Sequence, residues 1–200
     1  MVHAARAATI ATLCLALASQ AHALDTPPEP EPPGHMRSEV GTTALLLFGM
    51  APATGMDFAP LLTFRWPGIS LCFEPRLLVL TSDQPSASGT KKLTVDSTLG
   101  TVALCRHRGA VFACGLAQGG RIRADSPDDL LPSDNVAWLL STGARGGVEW
   151  PVLGYLRLYG FVELHLLMAR PAIESFAGPW HASPAGMVIG AGVALRGPSR

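Results

Sequence analysis

Residues 154–170, GYLRLYGFVELHLLMAR, limit what this chain can fold into more than any other segment. Every second residue over 156–168 is apolar or glycine, and the intervening positions carry Arg157, Glu163 and His165 among aromatic side chains. A helix of 3.6 residues per turn would mix these two sets, whereas a strand keeps them on opposite faces. The segment exceeds the ~9–11 residues that a tilted strand needs to cross a bilayer. It therefore predicts a transmembrane β-strand with its leucine row in lipid and its charges inside a barrel.

The rest of the chain after residue 38 also divides into alternating segments. Together with the first segment, they predict eight strands, at 40–50, 56–66, 69–81, 93–105, 111–122, 135–149, 153–169 and 186–196. After a medium connection at 51–55, short connections, at 67–68, 106–110 and around Trp150-Pro151, alternate with long ones, at 82–92, 123–134 and 170–185. Outer-membrane barrels have an even strand number, tight periplasmic turns and longer outer loops. The predicted fold is all-β, an eight-stranded antiparallel up-and-down transmembrane barrel with short periplasmic turns and longer outer loops.

The first 38 residues differ in composition from the predicted barrel. Residues 1–23 have a basic start, an apolar run and the small-x-small sequence Ala21-His22-Ala23, which is typical of a secretory signal peptide. Residues 24–38 are rich in proline, which disfavours helices and sheet ladders and indicates a disordered lead. We therefore divide the chain into a signal peptide (1–23), a proline-rich lead (24–38) and a barrel domain (39–200), and predict export to the outer membrane.

Charged residues are scarce, at 15% of the chain against roughly 25% in soluble proteins. This scarcity favours a surface that does not meet water everywhere. The formal net charge is zero, which removes the electrostatic basis for binding nucleic acid. The expected partner is the lipid bilayer, with the protein as a monomer.

The alternation places a nearly balanced set of ionisable residues on the inward faces of the predicted strands. Eight strands leave an interior just wide enough for side chains, so these charges should pair across it and not line an open pore. The candidate lumen residues are Arg65, Glu74, Arg76, Asp96, Arg121, Arg145, Glu149, Arg157, Glu163 and His165.

Three cysteines follow the signal peptide. Cys105 and Cys114 bracket a predicted tight turn, so adjacent strands would bring them near each other, and export to an oxidising compartment permits a disulfide. The sequence leaves open whether they bond, because the strand register is unknown. Cys72 is expected to be a small buried residue. No metal-ligand spacing such as C-x-x-C is present, and we expect neither a metal nor a cofactor.

The signal peptide, the proline-rich lead, the eight alternating segments and a final Gly-x-x-apolar-x-apolar stretch at 190–195 occur together. In this combination the chain resembles small eight-stranded outer-membrane β-barrel proteins, of the OmpA-transmembrane or OmpX-like kind. The resemblance implies a non-enzymatic role in envelope structure or in surface interaction through the outer loops.

Two alternative functions stay open. A soluble periplasmic or secreted barrel with a lipocalin-like pocket would need an apolar inward face and a polar outward one. A membrane-barrel lipid hydrolase is suggested by His181-Ala182-Ser183, which resembles the His-x-Ser of outer-membrane lipid A deacylases. It would need His181 and Ser183 on one strand face together with an acidic partner.

Overall fold

The eight long strands of this protein close into an antiparallel barrel. A computed structural model describes residues 36–50, 54–86, 89–125, 135–169, 172–173 and 180–197, with only the backbone described over 80–92. The barrel strands are β1 (Arg37–Phe48), β2 (Gly55–Trp66), β3 (Ile69–Ser86), β4 (Gly89–Arg108), β5 (Val111–Asp125), β6 (Val136–Leu153), β7 (Leu156–Ala169) and β10 (Ala185–Arg196). Each strand pairs with its neighbour in the chain, and β10 pairs with β1. The predicted eight-stranded antiparallel barrel is confirmed.

Strand β7 presents two chemically opposite faces, as its alternation predicts. Leu164, Leu166 and Met168 point outward with exposures of 62%, 63% and 70%, whereas Glu163 and His165 are almost completely buried. Because side chains alternate across a strand, the whole leucine row shares the outer face. At this strand the outer surface of the barrel is apolar, and the inner surface carries charged side chains.

Three tight turns define one end of the barrel, which we call the turn end; the opposite end is the loop end. The turns lie at Pro67-Gly68, Gly109-Ala110 and Gly154-Tyr155. Gly68 and Gly109 have φ angles of 74° and 63°, in the left-handed region that glycine adopts without steric cost. The turn that we predicted around Trp150-Pro151 is four residues later, because β6 continues through the proline with a register irregularity between Pro151 and Leu153.

The longer connections differ from the prediction in extent. Segment 82–92 is mostly not a loop, because β3 and β4 stay paired as far as Ser86 and Gly89. Segment 170–185 contains a short ribbon of β8 (Ala172–Ile173) and β9 (Trp180–His181). Of segment 123–134, the first residues extend β5 to Asp125, and 126–134 lie outside the described residues.

The chain termini are only partly described. Strand β1 begins at Arg37, inside the segment that we predicted to be a disordered lead. Residues 1–35, which include the predicted signal peptide and most of that lead, lie outside the described residues. In the described ranges, no helix has the length and apolar character needed to span a membrane.

The barrel interior changes character along its axis. Toward the loop end it holds a large apolar cluster, which we call the apolar plug. Its fully buried members include Leu45, Leu93, Ile122, Leu139, Val188 and, from the β8–β9 ribbon, Ile173. The middle and the turn end are polar and charged, with a smaller apolar cluster around the cysteines.

Candidate functional site in the barrel lumen

Four charged side chains meet at the middle of the lumen and form what we call the central network. Glu74 and Arg76 come from β3, Arg145 from β6 and Glu163 from β7, and all four residues are at most 4% exposed. Arg145 binds both carboxylates, with Nη1 2.5 Å from Glu74 Oε1 and Nε 2.8 Å from Glu163 Oε1. Arg76 does the same, with Nη2 2.8 Å from an oxygen of each carboxylate. Two guanidinium groups and two carboxylates thus cancel in charge.

The local fold explains this arrangement. Glu74 and Arg76 are two residues apart on one strand and so share a face. Arg145 lies directly opposite Glu163 in the β6–β7 register, which puts the two side chains side by side on the inner wall. Buried charges are stable only when paired and hydrogen-bonded, and the planar guanidinium fork suits two carboxylates at once.

A line of polar contacts extends from the central network across four strands. His165 Nε2 is 2.8 Å from Glu163 Oε2, and His165 Nδ1 is 3.1 Å from the Ser141 hydroxyl. Ser141 donates to the Gln118 side-chain carbonyl at 3.3 Å, and Gln118 donates to Thr101 Oγ1 at 3.2 Å. Thr101, Gln118 and Ser141 are not in the predicted lumen set, although each is a polar residue among apolar or small neighbours.

A second charged cluster, the turn-end cluster, is centred on Glu149. Arg65 donates to Glu149 through both terminal guanidinium nitrogens, at 2.9 and 2.6 Å, and Arg157 Nη1 is 3.3 Å from Glu149 Oε1. Glu39 Oε1 lies 3.5 Å from Arg65 Nε and 3.6 Å from Arg157 Nε. His107 Nδ1 is 3.3 Å from Glu149 Oε1. The cluster borders a cavity of about 40 Å³.

Glu39 and His107 belong to the turn-end cluster but are absent from the sequence-based set. Both fell at predicted boundaries, Glu39 as the first barrel residue and His107 inside a predicted turn. The strands extend further at both places, to Arg37 and Arg108, so both side chains point into the lumen. Continuing the period of two through the predicted boundaries would have found them.

The prediction was wrong for Asp96 and Arg121, which lie on the outer face of the barrel. On β4 the buried residues adjacent to Asp96 are Val95 and Ser97, and on β5 Ile122 is buried next to an exposed Arg121. Side chains alternate strictly, so a charge between two inward residues must point outward. The other eight residues of the predicted lumen set point into the interior.

The structure places the three described cysteines in one small cluster on the inner wall. Cys105 and Cys114 are opposite each other in the β4–β5 register, and their sulfur atoms are bonded. Cys72 is a buried free thiol, and the Thr63 hydroxyl lies 3.5 Å from its sulfur. Leu61, Ala103 and Leu116 complete the apolar surroundings.

The His-x-Ser motif does not form a catalytic arrangement in the described part of the chain. His181 lies in the β8–β9 ribbon, Ser183 follows it outside any strand, and both side chains are exposed. No hydrogen bond or ion pair joins either side chain to a carboxylate among the described residues. Within the same residues, no group of three or more His, Cys, Asp or Glu could hold a metal ion.

The fold is similar to that of solved outer-membrane proteins. Ail, the attachment invasion locus protein of Yersinia pestis, in complex with the heparin analogue sucrose octasulfate, is 11% identical over 83% of this chain and 100% of its own, with a TM-score of 0.49. A major outer membrane protein from Thermus thermophilus is 10% identical over 81% and 99%, with a TM-score of 0.48. The outer membrane protein AlkL, solved by solid-state NMR in DMPC lipid bilayers, is 11% identical over 86% and 95%, with a TM-score of 0.45.

No protein-family model and no curated protein matches the chain. The solved structures share an architecture with it at about one identical residue in ten. A likeness of this kind transfers no activity or ligand, because one fold hosts many unrelated functions. The function must be inferred from the barrel's own surfaces.

Proposed function

We propose that this protein is a non-enzymatic outer-membrane barrel, exported through residues 1–23, whose closed and ion-paired lumen makes it a structural element and not a channel. The observation that carries the proposal is its reversed polarity. Large apolar side chains cover the outer wall, for example Phe58, Leu77 and Leu164, while Glu74, Arg76 and Glu163 are buried inside. In water, a continuous apolar surface of this kind would drive aggregation; in lipid it is the stable arrangement.

The dimensions and the aromatic residues support the same placement. Strand β2 has 12 residues, which meets the ~9–11 needed to cross a bilayer at a tilt. Exposed aromatics lie near both ends of the wall, with Trp66 next to one tight turn, Tyr155 within another and Trp138 near the loop end of β6. Tryptophan and tyrosine are enriched at both membrane–water interfaces.

The side chains that occupy the lumen support the proposal that the barrel is closed to ions. The central network fills the middle of the interior, and the apolar plug occupies the side toward the loop end. Any recognition of a surface ligand then falls to the connections at the loop end, which include the β8–β9 ribbon.

The two alternative functions have less support. A lipocalin-like barrel needs an apolar pocket and a polar exterior, and here the middle of the lumen is charged and the outer wall is apolar. A lipid hydrolase needs an acidic partner for His181, and none contacts it among the described residues.

The test compares two outward substitutions to arginine. We call the band of large, outward apolar side chains around the barrel, which includes Leu164 and Leu166 of β7, the apolar belt. Leu164→Arg places a charge on this belt, and Val152→Arg places one beside a tight turn; both wild-type residues are exposed. In a bilayer, arginine costs about 2–4 kcal/mol at the midplane and about 0–1 kcal/mol near the interface. We therefore expect Leu164→Arg to reduce the heat-modifiable, membrane-inserted fraction strongly, and Val152→Arg to insert like the wild type.

A water-soluble barrel would tolerate both substitutions equally. Equal insertion of the two variants, or recovery of the wild-type protein in the soluble fraction after cell lysis, would contradict the membrane placement. Steady ion conductance of the wild-type protein across a planar bilayer would contradict the closed lumen but leave the placement intact.

A further inference from the structure

A cavity of about 230 Å³ lies on the outer wall near the loop end, apart from the lumen clusters. Its lining residues are Asp96, Thr98, Arg121, Arg123 and Val136. The register sets Thr98 opposite Arg121 and Asp96 opposite Arg123, so the two arginines stand in neighbouring rows of the same face. We call this cavity the outer arginine pocket.

The outer arginine pocket has hydrogen-bond donors that contact no protein acceptor among the described residues. Among the described residues, Arg121 makes no hydrogen bond and no ion pair, and its side chain is exposed. Arg123 uses its Nε toward Asp125, at 2.9 to 3.1 Å, which leaves its two terminal nitrogens to other acceptors. Two guanidinium groups and a hydroxyl, Thr98, are the groups that bind phosphate oxygens.

The position of the pocket indicates where such a phosphate comes from. Arg121 is directly beside Trp138, which is 72% exposed, and Leu77 continues the same row on the other side of Thr98. The arginines thus lie at the edge of the apolar belt, at the level where an interfacial tryptophan meets lipid headgroups. Toward the turn end, β5 presents Gly119, Ala117 and Gly115 outward, a flat surface along which an acyl chain can lie.

We propose that the outer arginine pocket binds the phosphate of a lipid headgroup that carries a net negative charge. The proposal requires the membrane placement proposed above and goes beyond it, because it assigns a specific lipid site to one face of the wall. Asp96 disfavours binding of a phosphate by charge repulsion, because Asp96 lies opposite Arg123 in the β4–β5 register. Removing that charge should therefore strengthen binding, whereas removing the arginines should weaken it.

The test uses the full-length protein isolated from membranes and reconstituted in nanodiscs of equimolar phosphatidylglycerol and phosphatidylcholine. Native mass spectrometry measures the enrichment of retained phosphatidylglycerol over phosphatidylcholine. Each basic residue near an anionic membrane surface accounts for about a fivefold change in binding, so we expect R121Q/R123Q to lose roughly an order of magnitude or more of the enrichment. Asp96→Asn should raise it a few-fold.

The matched control is R106Q/R108Q, which removes two exposed arginines of β4 next to the tight turn at Gly109-Ala110, neither of which lines the outer arginine pocket. It should keep the wild-type enrichment. Equal losses in the two double variants would overturn the proposal, as would displacement of phosphatidylglycerol by inorganic phosphate at equal concentration. If R121Q/R123Q fails to fold, Asp96→Asn decides, and unchanged enrichment in that variant overturns the lipid site.

Heat-modifiable migration of every variant separates the two proposals. A barrel that fails to insert contradicts the membrane placement. If R121Q/R123Q inserts normally and its lipid enrichment equals that of the wild type, only the lipid site is contradicted.

Discussion

Side chains alternate between the two faces in the same way in the middle of the barrel and at the loop end of the β4–β5 wall. The distribution of charged and apolar side chains between the two faces is opposite. In the middle, Glu74 and Arg145 point inward and large apolar side chains point outward. At the loop end of β4 and β5, Leu93 and Ile122 point inward, whereas Arg123 points outward. In both regions every second residue of a strand points inward, and no shift in this alternation separates them. In the membrane placement that we propose, the difference follows from the surrounding medium, because a wall that extends beyond lipid faces water outside and can be dry inside.

The largest expected effect tests the charged middle region. Arg145→Met removes the cation that bonds both Glu74 and Glu163 and leaves buried carboxylates undercompensated. Breaking a buried ion pair in this way costs about 3–5 kcal/mol. We expect a loss of that size in the free energy of unfolding, measured by urea titration of the barrel in lipid vesicles.

The control for this variant is Arg106→Met, an exposed arginine on β4. It should change the free energy of unfolding by no more than about 0.5 kcal/mol. A loss below about 1 kcal/mol in Arg145→Met would show that the central network is not an essential part of the packed interior.

A smaller effect tests the apolar plug with two adjacent residues of β6. Leu139 is buried in the plug, and Leu140 points outward. Leu139→Ala leaves a cavity and should cost about 2–4 kcal/mol in the same urea titration. Leu140→Ala leaves no internal cavity and should cost less than about 1 kcal/mol. Equal costs would mean that the loop end has no dry core, and the contrast between the two regions would fail.

The smallest effect concerns the exposed ion pair on the outer wall. The side chains of Arg123 and Asp125 are 53% and 40% exposed, so water screens their attraction. We expect Asp125→Asn to change the free energy of unfolding by no more than about 1 kcal/mol. The change should shrink further in high salt, because the Debye length falls. A larger, salt-independent change would place this pair in a medium like that of the central network.

The sequence predicts the fold and most of the lumen set where charge and bulk alternate without interruption. In β7, leucines recur on one face and Arg157, Glu163 and His165 lie on the other, so the two faces are unambiguous. In the Gly119-Gly120-Arg121 stretch no large apolar residue marks the outer face, so the local pattern does not distinguish the two sides of the strand and the arginine was assigned to the wrong one.

The partner of each lumen charge could not be predicted. The pairing of Arg145 with Glu163 depends on the β6–β7 register, which is set by the turn at Gly154-Tyr155 together with the register irregularity between Pro151 and Leu153. A turn at the predicted position, around Trp150-Pro151, would have brought other residues opposite each other. Alternation determines the face of a side chain, and turn placement determines its neighbour.

Strand β4 runs for 20 residues and keeps an unshifted register against both β3 and β5. Because this period of two continues without a bulge, the position of a residue along β4 determines which face of the wall its side chain is on. Deleting or inserting a single residue within β4 would turn every side chain beyond that point inside out, whereas a two-residue change would keep the phase. We therefore expect natural length variation of this strand to occur in pairs of residues.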